Sequence, residues 1–483
     1  MKFTRFIAFL VLLCITVLAF SSCNGASVET QNSDTLPPTE SPTGTPTSAP
    51  TSSTKPKPTE PADLGYDDSE LYDYIEIPRF NGKNFQVEES DLGQGSYMNI
   101  ASRADLDDYN EYLLELEDWG FFHYTSNQIG ENFFDTYITR TQIVNVMYID
   151  SFSQVRVIVD DRDVFDLPIL ESANVYEELG NQSLTLVSDE AIGWPGRMGY
   201  IYKLADGSFF IIDGGATSWV PGTGSSAEVI MNVLTEYADN PNNIRIAGWL
   251  ITHIHEDHMG GFYDMSKSKK YTDKITIEKL IYNQPSKESA KEQDIGAYTH
   301  DGLTVVCELM ETAIENWQPK QVYKAHPGQV FYIRDLTATV YYSQELLMFT
   351  DNTSSHNNSS VVTMVEFMDK TALYLGDVVY DANQKVVAPV YKEALKSDIL
   401  QVAHHGYGDT GAEEVYTYSD PTIVFWPVYS YHYYTSDNYW GVKDLPTNQV
   451  LFKNGVKHYH HGEDCVTFSD FNTWEGERWD AVR

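Results

Sequence analysis

The stretch THIHEDHMGG, from Thr252 to Gly261, sets three histidines, an aspartate and a glutamate within six residues, between an apolar run and a glycine pair. Imidazole nitrogens and carboxylate oxygens are the donors that suit zinc, manganese or iron. His253 and His255 stand two apart, just past the strand expected at Ile246–Ile251. On extended chain such residues point to the same side. Asp257 and His258 follow where a helix is expected to start, so H-x-H-x-D-H aims two pairs of ligands at neighbouring points. The spacing is not H-E-x-x-H, because Met259 stands where the second histidine would be.

Taken alone, the hexad is also compatible with a solvated polar loop. Further polar pieces that follow in order argue for chemistry. FIIDGG ends a strand on Asp213, and SSHNNSSVV places His356 just before another strand. LYLGDVV ends a strand on Asp377, and LQVAHHG ends yet another on His404 and His405. Donors gathered from several strand ends make one polar rim on a buried sheet sandwich. No G-x-S-x-G is present, which argues against a serine hydrolase. His458, His460 and His461 in KHYHHGEDC fit the alternation of a C-terminal strand and a turn, and read as structural. The aromatic run VYSYHYYTSDNYW, Val428–Trp440, is expected near the mouth, either stacking on a ligand or packing its own loop.

Strands and helices must carry these residues. LTLVS, GYIYKL and FFIIDGG read as consecutive strands, Ser226–Tyr237 as a helix, and IRIAGWLIT as a buried strand running into the histidine cluster. KLIYN, TATVYYS, VVTMVEF, ALYLGD, DILQVAHH and TIVFWP continue the strand series. Ahead of them, Ala104–Gly120 has helical spacing, with Leu106, Tyr109, Leu113, Leu116 and Trp119 near one face and Gly120 as its stop. FFHYT, FFDTYITR, IVNVMYI and VRVIVD then suggest three or four antiparallel strands, which makes a compact α+β module. His123 stands alone in it and reads as structural.

The ordered set resembles the metallo-β-lactamase superfamily, and NNSSVV, LYLGD and VAHHG followed by PTIVFWP resemble the hydrolase domain of the competence protein ComEC and its relatives. The resemblance implies an α/β fold, an αββα sandwich with a mono- or dinuclear metal site, over about Leu184–Asp470. Carried over by position, it places a first metal site on His253, His255 and His356. A second falls on Asp257, His258 and one of the pair His404–His405. His404 is favoured because it stands nearest the strand end. Asp377 bridges the two, and Asp213 supports the histidine loop from behind. Two divalent ions are implied, zinc first, with manganese or iron as alternatives. A bound ion lowers the pKa of water towards neutrality. Asp257, or the histidine of the pair that is not a ligand (here His405), is placed to handle a proton. The expected activity is that of a metal-dependent phosphodiesterase. The chain departs from the ComEC pattern in two places: GWPGRMGYIYKL replaces an Asp-Val-Gly-Gln-Gly opening, and YSYHYYTSDNYWGVKDLP has no His-Pro pair.

Charge and the N-terminus bound the setting. The 483 residues carry 70 acidic against 32 basic side chains, a net charge of −38 that repels polyanions unless a local basic patch overrides it. Lys267, Lys269 and Lys270 make only a small one, so nucleic acid ranks low as a partner and an extracellular nuclease is the second reading. A non-catalytic surface binding lipoprotein is the third. Residues 1–22 read as a signal peptide of lipoprotein type: basic start, apolar Phe6–Phe20, then Ser21-Ser22 before a Cys23 that would take lipid. Residues 23–63 are Ser, Thr and Pro with little to bury, a disordered stalk that at ~3.1 Å per residue reaches on the order of 100 Å. The small domain is expected at 64–170 and the sandwich at 171–483. This layout predicts a protein lipid-anchored on the outer face of the cell membrane, or secreted, that acts on a small-molecule or polymer substrate of the envelope. Cys307 and Cys465 are expected as unpaired thiols.

Overall fold

A computed structural model describes residues 71–80, 86–168, 181–188, 197–217, 225–287, 303–344, 356–429, 432–433, 441–461 and 465–470. The signal peptide, Cys23 and the stalk lie outside the described residues, as does much of the aromatic run after Tyr429. All the described residues belong to one compact unit, Lys57–Arg483. Among them no helix is long and apolar enough to cross a membrane.

The first sheet belongs to the small module. Its strands are β1 (Gln86–Gly93), β2 (Ser96–Ser102), β3 (Phe122–Ile129), β4 (Asn132–Ile138), β5 (Gln142–Ile149) and β6 (Gln154–Asp161), antiparallel in the order β1-β2-β6-β5-β4-β3. Six strands form where the sequence suggests three or four. β1 was missed because QVEESDLG carries few apolar residues, and β2, SYMNIAS, because it is a short run without a strong β-branched signal. Helix α1 (Leu106–Trp119) is capped by Asp105 and Asp108, which exchange side-chain and backbone hydrogen bonds, and it stops at Gly120, φ 99°. Its buried stripe is Tyr109, Tyr112 and Leu116, whereas Leu106 and Trp119 at its two ends are exposed. The helix covers one sheet face with Val144, Val146, Val155 and Val157 beneath it. The opposite face, through Met98, Ile100, Met147 and Ile158, joins the core that also holds Val390, Tyr391 and Leu395. A buried pair seals this seam: His326 Nε2 lies 2.7 Å from Asp160 Oδ2, and Ser96 Oγ donates to the other carboxylate oxygen at 2.6 Å.

Two more sheets face each other. One contains β7 (Ser183–Leu186), β8 (Tyr200–Lys203), β9 (Phe209–Ile212), β10 (Ile244–Ile251), β12 (Lys279–Tyr282), β13 (Gln321–Lys324) and β21 (Val466–Phe468), in the order β13-β12-β10-β9-β8-β7-β21, with β11 (Ile275–Ile277) beside β10. The other runs in chain order as β14 (Val330–Ile333), β15 (Leu336–Tyr342), β16 (Val362–Phe367), β17 (Lys370–Tyr374), β18 (Ile399–Gln401), β19 (Ile423–Tyr429) and β20 (Lys457–His461). Strand alternation assigns the layers. Phe210, Ile212 and Leu250 meet Tyr374 and Phe425 between the sheets. Phe209, Ile211 and Trp249 turn outward onto α2 (Ser226–Tyr237), α3 (Gly260–Ser266) and the helix Leu303–Trp317. Leu373, Leu400 and Trp426 turn outward onto the helical segments around Val387 and Tyr416. The result is helices, sheet, sheet, helices.

Parallel pairing sets where functional residues emerge. β9, β10, β12 and β13 are mutually parallel neighbours, and so are β17, β18, β19 and β20. Their carboxyl ends therefore gather into rims, the place where open α/β sheets bind ligands. The loop after β10 is pinned by close backbone approach. A Cβ on Gly260 would stand 2.1 Å from Thr217 N, and one on Gly261 would stand 2.1 Å from Gly214 O. Because backbone cannot swing aside as a side-chain end does, Gly261→Ala is expected to cost about 1–3 kcal/mol. Urea denaturation should show a lowered midpoint at an unchanged slope.

Candidate metal centre

Asp213 follows β9 with φ of 57°, a left-handed conformation that a non-glycine residue adopts only under constraint. The constraint is visible. Its fully buried carboxylate accepts from Thr252 N at 2.7 Å and Thr252 Oγ1 at 2.8 Å, and lies 2.8 Å from His258 Nδ1. One carboxylate thus ties the end of β9 to both ends of the histidine loop. Residues 256–258 are turn, and α3 begins at Gly260, slightly later than the sequence suggests. The NNSS segment braces the next loop: Asp377 N donates to Ser360 Oγ at 2.9 Å, Val379 N to Asn358 Oδ1 at 3.0 Å, and Val361 N to Thr252 O at 2.8 Å. Gln401, fully buried in β18, accepts from Leu375 N and Gly376 N, both at 2.8 Å. A buried glutamine inside the apolar run DILQVA was the available signal for that role.

These loops bring the donors into two groups. His253, His255 and His356 present ring nitrogens within 4.8 Å of one another, and Asp257, His258, Asp377 and His405 do the same. Asp377 lies between them, with its Oδ2 3.0 Å from His258 Nε2, 3.3 Å from His405 Nε2 and 3.8 Å from His253 Nε2. His405 Nε2 is also 3.3 Å from Asp257 Oδ2.

At the HHG pair the structure corrects the expectation. His405, not His404, joins the second group. Both residues are left-handed, His404 at φ 43° and His405 at φ 54°. That backbone kink carries His404 past the centre and turns His405 back into it. His405 Nδ1 donates to Pro427 O at 2.7 Å, which fixes the tautomer and leaves Nε2 facing the carboxylates. His404 instead pairs its Nδ1 with Asp409 Oδ1 at 2.7 Å and places Nε2 3.2 Å from the Asn357 amide.

Electrostatics separate the two groups. Burial presses the first group down, His255 to about 4 and His253 and His356 well below the usual imidazole range, so all three offer lone pairs. In the second group burial opposes every charge and is overruled. Asp377, Asp213 and Asp257 raise His258 well above its ordinary value, and Asp377 and Asp257 raise His405 to about 10. The two imidazoles in turn lower Asp257 to about 2 and Asp377 well below the usual carboxylate range. Protons on His258 and His405 sit where a cation would, and a divalent ion would displace them. Buried atoms without a hydrogen-bond partner point the same way: both ring nitrogens of His356, and Asp377 Oδ1. These residues fit divalent cations, which His253, His255 and His356 would hold in one group and Asp257, His258, Asp377 and His405 in the other.

Cys307 is buried and Cys465 half-buried, neither is in a disulfide, and Cys465 Sγ accepts from Ser188 N at 3.3 Å. Lys267 and Lys270 are paired with Asp264 and Glu228, so the small basic patch is largely neutralised.

No family model matches the chain, and no curated protein does. Among solved structures it is similar to the metallo-β-lactamase fold protein YhfI of Bacillus subtilis, at 9% identity over 59% of this chain and 99% of that one, TM-score 0.34. It is similar to CmlA, a diiron β-hydroxylase of Streptomyces venezuelae, at 13% identity over 60% of this chain and 54% of that one, TM-score 0.35. Zn(2+)-bound PqqB of Methylobacterium extorquens matches at 10% identity over 46% of this chain and 72% of that one, TM-score 0.28. The chain thus spans only about half of the hydroxylase. The layers described above, helices, sheet, sheet, helices, carry the donors on their strand-end loops.

The geometry separates the adjacent histidines experimentally. His405→Ala should lose metal while His404→Ala keeps the wild-type content, about two divalent ions per chain. Asp213→Asn should weaken affinity about 10–100-fold through misorientation of His258, read by chelator competition.

Proposed function

We propose that the protein is a metal-dependent hydrolase that cleaves phosphodiesters, held on the outer face of the cell membrane by lipid on Cys23 and acting on an envelope or extracellular substrate. The carrying observation is the pair of donor groups joined through Asp377, because two adjacent cations suit in-line displacement at phosphorus. The ions, when bound, supply Lewis acidity and bring the pKa of water towards neutrality. The chain's own residues do the rest. Asp213 and Pro427 O orient His258 and His405 from behind, so their Nε2 atoms stay directed inward. Asp257, whose side chain is 20% exposed against 2% for Asp377, is the carboxylate that faces incoming substrate and accepts a proton at Oδ1 or Oδ2. His404, 15% exposed, is held through Nδ1 by Asp409 and sets Nε2 against the Asn357 amide.

A ComEC-like nuclease is the weaker form of the same reading. The acidic surface and the paired lysines favour a small or locally charged substrate over duplex DNA.

The test is hydrolysis of bis-p-nitrophenyl phosphate by the metal-loaded chain. Turnover should vanish with chelator and return with zinc or manganese, and Asp257→Asn should lower it by about 10²–10⁴-fold. A metal-replete protein that leaves this diester intact yet opens a lactone or amide would sink the phosphodiesterase reading.

A further inference from the structure

β3 ends the sheet of the small module and β14 ends one sheet of the sandwich. The two edge strands do not pair, and a cleft of about 110 Å³ opens between them. At ~10–15 Å³ per water position that is room for roughly seven to ten waters, about what one sugar ring displaces. Strand register lays out the module's wall. Thr125, Thr136 and Asn145 stand abreast on β3, β4 and β5, and Asn127, Phe134 and Met147 form the next row. All six line the cleft. The facing wall is Pro327, Gly328, Gln329, Val330 and Tyr332 of the sandwich. Gly328, at φ 89°, presses directly on the floor, since a Cβ there would stand 2.2 Å from Phe134 Cγ.

The chemistry of the walls narrows the ligand. Among the described residues that line the cleft there is no lysine or arginine, so nothing there neutralises an anion. Asp135 is their one carboxylate, and it is already taken: His123 Nε2 stands 2.8 Å from Oδ1, Ser126 Oγ donates to the same oxygen, and the Tyr109 hydroxyl donates to Oδ2. What remains is neutral. Gln329 Oε1 accepts from His326 N at 2.9 Å, which leaves its amide N–H groups to donate. Thr136 Oγ1 donates to Asn145 Oδ1 at 3.2 Å and keeps its lone pairs to accept. Among the described residues, Thr125 Oγ1 and the Tyr332 hydroxyl have no partner. Clamps limit the shape. Asn127 Nδ2 donates to Gly328 O at 2.8 Å, and Tyr124 OH to Pro168 O at 2.7 Å. The stretch of β3 between those clamps spans about 10 Å, too short for a peptide to add as a strand of about five or six residues.

We infer that this cleft binds a neutral saccharide, one or two rings of a glycan, with Tyr332 against the C–H face of a ring and Thr125, Thr136 and Gln329 bonding its hydroxyls. A sugar hydroxyl both donates and accepts, which suits this mixed neutral set, and its apolar face suits Phe134, Met147 and a half-buried phenol. The cleft is separate from the metal centre. β14 lies three strands from β17, whose following loop carries Asp377, so the two sites stand roughly 14 Å apart across the sheet. The small module thereby gains a role besides bracing the sandwich: it supplies one wall of a second binding site. That site stands whether or not the metal centre cleaves phosphodiesters.

The test is titration of the metal-loaded protein with maltotetraose, cellotetraose and chitotetraose, followed by calorimetry. At least one should bind with a Kd of roughly 10 μM to 1 mM. Tyr332→Ala should weaken that binding about tenfold. Thr125→Val keeps the shape and the strand preference, so its thermal midpoint should be unchanged while affinity falls about three- to tenfold. Turnover of bis-p-nitrophenyl phosphate should be the same in both variants, and Asp257→Asn should bind the sugar like the wild type. Failure of all three sugars to bind the wild-type protein would overturn the inference. So would wild-type affinity in both cleft variants, or loss of sugar binding in Asp257→Asn, which would put the sugar at the metal centre. Binding of tetra-alanine in place of the sugars, weakened by Tyr332→Ala, would make the cleft a peptide site and overturn it too. Sugar binding that depends on Tyr332, in a protein that cleaves no phosphodiester, leaves the cleft standing while the proposed reaction fails.

Discussion

The centre depends on the burial of one carboxylate. Asp213 has no exposure and sits in a left-handed backbone conformation, two conditions that each cost free energy. Both are tolerated because its oxygens collect a backbone N–H, a hydroxyl and an imidazole N–H from a single neighbouring loop. Burial raises its pKa while His258 and Thr252 pull the other way, so the negative charge and the loop geometry support each other. Without that anchor, His258 would lose the partner that fixes its tautomer, and Thr252 would no longer set the departure angle of His253.

From this anchor the construction proceeds by strand ends. Parallel neighbours deliver Asp213 and the histidine loop from one sheet and Asp377, His405 and His461 from the other. Two sheets packed through Phe210, Leu250, Tyr374 and Phe425 therefore present facing rims, and the metal donors are what those rims have in common. The helical layers carry little chemistry. Their part is close packing, seen where Gly260 and Gly261 bring α3 against the loop after Asp213.

Much of this was legible in the sequence, for a physical reason. H-x-H-x-D-H acts locally, and local spacing on an extended chain and a turn determines which side chains converge. His356 and Asp377 were legible because each adjoins an apolar run, and runs of that kind become buried strands. The assignment within His404–His405 was not legible, because it turns on two successive left-handed residues and on a carbonyl from β19. Alternation in KHYHH announces a strand but says nothing of its neighbours, and only parallel pairing with β19 brings that end to the rim. β1 escaped notice because its pattern is mostly polar.

The edge of the sheet that carries β10 has a consequence for how the chain reaches its fold. β7, at Ser183–Leu186, is bordered on one side by β8 and on the other by β21, whose register places Phe468 against Leu184. Every metal donor, from His253 to His405, precedes β21 in the chain. A chain emerging N-terminus first can thus assemble its donor loops while β7 still shows an open hydrogen-bonding edge, the kind of edge that invites pairing with another chain. The strand that covers β7 is three residues long and lies far downstream, so its pairing closes a very long loop at a cost in chain entropy. Synthesis order sets a window in which the protein is chemically nearly complete but still exposed to misassociation.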